Sequence, residues 1–237
     1  MGSAEHRGLK AAGRVLVAIL LGFVVLNVIA IAVMKSDFLP AAIQSQPWSE
    51  GALSHTAMWL VSLLLILTIS KGKPSTYGFQ LGGSYRWALM VVAGLATGVV
   101  FAVILNVLPE GDSALLPDYT LAQTVIFVWL YASISEEILT RGLIQGFLTP
   151  LAGRGVSIFR LRLSLPVLVG ALFFGLMHLG LLTTGAALLP VLVLVVFATV
   201  LGIIAGYHRE QTGSLIPAII VHMFGNIGGY CAGLLFG

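Results

Sequence analysis

VLVAILLGFVVLNVIAIAVM, from Val15 to Met34, contains no ionisable side chain, and this decides the medium in which the chain folds. A helix rises about 1.5 Å per residue, so a run of about 20 residues spans the roughly 30 Å hydrocarbon core of a bilayer. A secretory signal peptide has a shorter apolar region of about 7–15 residues and a small-residue cleavage site after it. This run is longer and no convincing site follows, so it reads as a retained first membrane helix. Six further segments share its character: Ala52 to Ser70, Trp87 to Leu108, Leu121 to Leu139, Leu165 to Leu182, Ala186 to Tyr207 and Leu215 to Phe236. The expected fold is all-α, a polytopic membrane helix bundle of about seven transmembrane helices. Breaks fall at Gly72-Lys73-Pro74, Pro109-Glu110-Gly111 and Gly180. The stretch from Leu139 to Leu163 is open to three courses: extending the fourth helix, folding back, or lying along the interface.

Composition agrees with this reading. The chain is 58% hydrophobic and 9% charged, against about 25% charged residues in soluble domains. So few charges cannot cover a water-facing surface. The net charge of +3 does not indicate nucleic-acid binding, because the basic residues sit in short loops beside apolar runs. One cysteine, Cys231, allows neither an internal disulfide nor a thiolate metal cluster. Small-xxx-small spacing at Gly94/Gly98, Gly142/Gly146, Gly202/Gly206 and Gly225/Gly229 reads as close helix packing.

Basic residues set the orientation. With the N-terminus inside, the inner segments hold Arg7, Lys10, Arg14, Lys71, Lys73, Arg86, Arg154, Arg160, Arg162 and Arg209. The outer loops hold only Lys35 among cations, while Asp37, Glu50, Glu110, Asp112 and Asp118 gather there. The expectation is a multi-pass protein of the plasma (inner) membrane with a cytoplasmic N-terminus and Gly237 outside. The stretch Ser75 to Arg86, with Tyr77, Phe79 and Tyr85, suits either the inner interface or an ordinary loop.

Three charged residues stand in or near a span: Glu136, Glu137 and Arg141. Each costs about 2.5–3.5 kcal/mol at a helix centre, so none can face lipid without a partner. Glu137 and Arg141 are four residues apart and can pair. Glu136 is turned about 100° from Glu137 and is left over. Later spans carry His178, in the run Phe173 to His178, and His222, with Asn226 one turn further on the same face. A bundle that shields polar groups from lipid brings Glu136, His178, His222 and Asn226 together in its interior. His6, His55 and His208 are read as terminal or loop residues and carry no assigned role.

The set Glu136-Glu137-x-x-x-Arg141, Phe174-x-x-x-His178 and His222-x-x-x-Asn226, in this order on successive helices, resembles the type II CAAX prenyl endopeptidases and bacteriocin-processing proteins, the CPBP or Abi family. The resemblance covers roughly Leu121 to Gly237. It divides one membrane domain into N-terminal helices with an interfacial segment, 1–120, and a catalytic core, 121–237. It implies an intramembrane endopeptidase that cleaves near the C-terminus of a peptide or prenylated protein. In that comparison Glu136 activates water, His178 shares the water, His222 and Asn226 stabilise the oxyanion, and Glu137, Arg141 and Phe174 support them. The implied partners are a peptide or prenylated protein substrate and the lipid bilayer, with no nucleic acid.

No cofactor is expected. The rival reading is zinc held by Glu136, His178 and His222, since a carboxylate with two histidines is a known zinc set; the H-E-x-x-H helix of the commonest zinc peptidases is absent. Two non-enzymatic alternatives are a proton-coupled transporter and a membrane scaffold or bacteriocin immunity protein. Transporters commonly carry inverted repeats, whereas the acidic and histidine groups singled out here all fall in the second half.

Overall fold

The computed structural model describes residues 2–108, 118–158 and 161–236. The Pro109-Glu110-Gly111 break, Asp112 and Arg160 lie outside them. Among the described residues six helical segments are long and apolar enough to cross a membrane. They belong to α1 (Gly2–Met34), α2 (Ser49–Ile69), α3 (Trp87–Asn106), α5 (Leu165–Met177, continued to Thr184 as a 3-10 helix), α6 (Leu188–Thr212) and α7 (Ile216–Phe236). Chain order places α4 between α3 and α5, as a continuous helical rod over residues 121–148. The rod alternates α-turns with two π-helical stretches, Thr124–Ala132 and Ile138–Ile144.

The rod starts at a capping box. Thr120 accepts the Gln123 amide through its side chain, and Gln123 Oε1 accepts the Thr120 N–H at 2.9 Å. Its far end answers the question left open over 139–163. The helix runs on to Leu148, a 3-10 turn over Thr149–Leu151 containing Pro150 follows, and the chain then forms a two-stranded hairpin. Strands β1 (Gly155–Ile158) and β2 (Leu161–Ser164) pair antiparallel from Gly155↔Ser164 to Ile158↔Leu161. Apart from this hairpin the regular structure among the described residues is helical. Ser164 then caps α5, accepting the Val167 N–H at 3.3 Å, with Pro166 in the first turn where its missing N–H is harmless.

Packing follows the small residues. A Cβ on Gly98 would lie 2.0 Å from the Gly225 carbonyl, and one on Gly94 would lie 2.5 Å from the Val221 carbonyl. The glycine spacing therefore brings α3 and α7 into backbone contact. Gly202 and Gly206 on α6 instead leave room for polar side chains of the rod. A Cβ at Gly202 would meet Arg141 Nη2 at 2.7 Å, and one at Gly206 would meet Gln145 Oε1 at 3.0 Å. The apolar core between α1, α2 and the rod includes the fully buried Ile66, Leu139, Leu143 and Ile144. Large apolar side chains such as Leu20, Phe23, Val92 and Val196 point outward and are exposed. In water such a surface would drive association; in a bilayer it is the wetted face.

One end of the bundle gathers several basic segments. Arg14 Nε donates to the Phe147 carbonyl at 2.8 Å, joining the start of α1 to the end of the rod. The Ser75–Arg86 stretch tucks under the same end: Tyr77 is buried against Gly146, the Leu215 N–H donates to the Gly78 carbonyl, and Gln80 donates to the Gly213 carbonyl.

Candidate active site

The site is built around two consecutive glutamates in the middle of the rod. Glu137 is fully buried. Its Oε1 accepts from Arg141 Nη1 at 2.9 Å, the i,i+4 contact that the spacing allows, and also lies 2.9 Å from His222 Nδ1. Arg141, also fully buried, uses the same Nη1 to reach Thr140 Oγ1 at 2.6 Å. Its guanidinium carbon lies 4.5 Å from the centre of the Phe174 ring, a cation–π arrangement. Thr140 in turn donates to the Glu136 carbonyl at 2.6 Å. Side chains that would each be costly in hydrocarbon therefore hold one another.

Glu136 points to a different side of the rod, as the 100° rotation requires. Its side chain keeps 13% of its surface exposed, so the carboxylate is shielded but reachable. It is not left without a partner, as the sequence suggested. His55 Nε2 lies 3.2 Å from Oε1, and His222 Nε2 lies 3.7 Å from Oε2. Because His222 Nδ1 faces a carboxylate oxygen, that nitrogen carries the proton and donates to Glu137. The second glutamate thus orients the ring whose far nitrogen faces the first.

His178 and Asn226 are placed differently from the sequence picture. His178 stands where α5 passes into its 3-10 extension, and its Nδ1 donates to the Phe174 carbonyl at 2.8 Å. Among the described residues no carboxylate lies within ion-pair distance of it, though it is near enough to Glu136 to interact electrostatically. The edge of its ring meets Phe174 at 5.1 Å between centroids, and His222 meets the same ring at 5.2 Å. Phe174 is therefore the wedge between the two histidines. Asn226 donates its amide N–H groups back to the rod, to the Val128 carbonyl at 3.1 Å and to Ser133 Oγ at 3.2 Å. The Val128 carbonyl belongs to the first π-helical stretch, a departure from α geometry that admits a side-chain donor to the backbone.

His55 is the residue that the sequence reading missed. It lies in α2, not in a loop, one turn beyond Gly51, whose carbonyl its Nδ1 reaches at 2.7 Å. His208 is likewise helical, buried within α6, and His6 lies in α1. A polar residue in an otherwise apolar span was the signal available for His55.

The zinc reading finds no ligand cluster. Among the described residues no group of three or more His, Cys, Asp or Glu side chains is placed to hold a metal ion. His178 and His222 each use Nδ1 on a protein acceptor, which leaves Nε2 as the one ring nitrogen of each that could ligate a metal. In this arrangement the Glu136, His178 and His222 side chains do not converge on one point as a zinc centre requires.

Fold and site together define a multi-pass membrane protein with a buried carboxylate–imidazole centre. Residues 118–228 match the family model described as Type II CAAX prenyl endopeptidase Rce1-like, and over those residues the chain carries a domain of that family. No curated protein and no solved structure matches the chain.

Proposed function

We propose that this chain is an intramembrane endopeptidase in which Glu136 activates water against a peptide carbonyl near the C-terminus of a peptide or prenylated protein. The observation that carries the reading is the Glu136 carboxylate, shielded within the bundle yet reachable, with imidazoles from two other helices beside its two oxygens. Water attacks the carbonyl carbon while its proton passes to Glu136. The tetrahedral intermediate then collapses, the C–N bond breaks, and the same proton goes to the departing amine. His178, with Nδ1 bound to the Phe174 carbonyl, has Nε2 left to accept a water proton. Asn226 donates to the developing oxyanion, and His222, whose Nδ1 proton is held by Glu137, joins it as a second donor only in the form that carries a proton on Nε2 as well. Asn226 serves by releasing one of its two bonds to the rod, which couples oxyanion binding to the π-helical stretch around Val128.

Peptide cleavage tests this directly. The purified chain in detergent is incubated with a peptide library that includes prenylated C-terminal peptides, and products are identified by mass spectrometry. Wild type is expected to cleave. Glu136→Gln keeps the shape but loses the base, and is expected to lower turnover by about 10²–10⁴-fold with an unchanged thermal unfolding midpoint. Equal cleavage by wild type and Glu136→Gln would refute the assignment.

A further inference from the structure

The imidazole nearest Glu136 comes from α2, outside the family-matched segment 118–228. Its two nitrogens have different neighbours. Nδ1 faces the Gly51 carbonyl, which can only accept, so Nδ1 bears a proton. Nε2 faces a carboxylate oxygen at 3.2 Å, and two bare acceptors repel at that distance. One proton therefore lies between Nε2 and Glu136 Oε1.

The placement of His55 is built into the seam between α2 and the rod. Trp48 stacks on Phe127 with ring centres 5.1 Å apart and planes within 7°. A little further along, the Tyr131 hydroxyl accepts from Trp59 Nε1 at 2.9 Å and shares a 2.6 Å hydrogen bond with Thr56 Oγ1. These contacts fix the register of α2 against the rod on both sides of His55, and its ring lies beside that of Tyr131. The charged and titratable groups around Glu136 are His55 from α2, His222 from α7, His178 from the end of α5, and Glu137 with Arg141 on the rod itself.

Resting on the endopeptidase reading of this site, we propose that His55 is a positioning residue for Glu136. Its hydrogen bond occupies Oε1 and holds the carboxylate plane, leaving Oε2 as the oxygen that takes the proton from water. The Nδ1–Gly51 bond aims the ring. The site is then complete only with α2, and the family-matched segment supplies the catalytic carboxylate without the group that orients it.

Two substitutions separate the two ends of the imidazole. A glutamine at 55 places its amide near the position of Nε2 and can still donate to Glu136. An asparagine reaches only the position of Nδ1 and keeps the Gly51 contact. With the full chain in detergent, His55→Asn is expected to lower kcat by about 10–100-fold, as loss of an orienting partner typically does, with KM changed less than about twofold. His55→Gln is expected to retain most of kcat. The opposite order, or equal kcat in the two variants, overturns the proposal, because a purely structural role through Gly51 favours the asparagine. A readout independent of turnover is the isotope-edited infrared carboxylate band assigned to Glu136 by its loss in Glu136→Gln. That band is expected to shift in His55→Asn and to stay near its wild-type position in His55→Gln; no shift in His55→Asn overturns the contact itself. If wild type cleaves no peptide while the band shifts as expected, the endopeptidase reading fails and the His55–Glu136 contact stands.

Discussion

At the scale of single residues, the two glutamates show how much a spacing can say. The i,i+4 interval from Glu137 to Arg141 is a local geometric fact, legible because a helix fixes which side chains meet. The His55–Glu136 contact joins residues 81 positions apart, and no periodicity encodes it. The same limit applies to Asn226: its place one turn from His222 was readable, but its bonds to Val128 and Ser133 depend on how α7 lies against the rod. The buried pair also carries a stability prediction. Removing one partner of a buried ion pair leaves an uncompensated charge and typically costs about 3–5 kcal/mol. Arg141→Met is expected to destabilise by that amount, because Glu137 then keeps only His222 as a charge partner among the described residues. Adding Glu137→Leu to Arg141→Met is expected to recover part of the loss, since apolar replacement of both partners can be near neutral. Denaturant unfolding of the three proteins in the same detergent gives the comparison; a double variant no more stable than Arg141→Met would show that the charges are not coupled.

At the scale of elements, the long apolar runs were the most legible part of the chain. Hydropathy placed the spans of α1, α2, α3, α5, α6 and α7 to within a few residues at most ends, because lipid imposes a length that composition must meet. The fourth was harder. Its apolar signal fades at Leu139, where the sequence turns to Thr140, Arg141 and Gln145, yet the helix continues to Leu148. These polar side chains are buried by the neighbouring helices, so hydropathy underestimates the length of the rod. The hairpin after it was not anticipated. Two four-residue strands are too short to show a clear alternation, although Val156, Ile158, Leu161 and Leu163 suit a sheet. The glycine contacts between α3 and α7 can be tested one methyl at a time. Gly98→Ala sets a Cβ against backbone, which cannot swing aside, and is expected to destabilise by about 1–3 kcal/mol. Gly233→Ala on α7 meets nothing within 4 Å and is expected to leave the unfolding midpoint unchanged. A neutral Gly98→Ala would mean that the two helices do not approach this closely.

At the scale of the whole molecule, the arrangement of ends lets a charge count make a prediction about topology. Arg14 reaches the end of the rod at Phe147, and Arg209 Nη2 approaches the Thr76 carbonyl at 3.4 Å. The start of α1, the end of the rod, the segment before α3 and the end of α6 are thereby joined at one face. Lys10, Arg14, Lys71, Lys73, Arg86 and Arg209, all assigned to the inner side, lie in or beside these segments. The other face carries Asp37, Glu50 and Asp118. Cytoplasmic retention of Lys and Arg then predicts that the Arg14–Phe147 face is inside. In a chain with Cys231 replaced by alanine, a single cysteine at Lys10 or Gly83 should react with a membrane-impermeant maleimide only after the cells are opened. A cysteine at Gln44 should react in intact cells. The reversed pattern would place the N-terminus outside and overturn the inner-face reading of the basic segments.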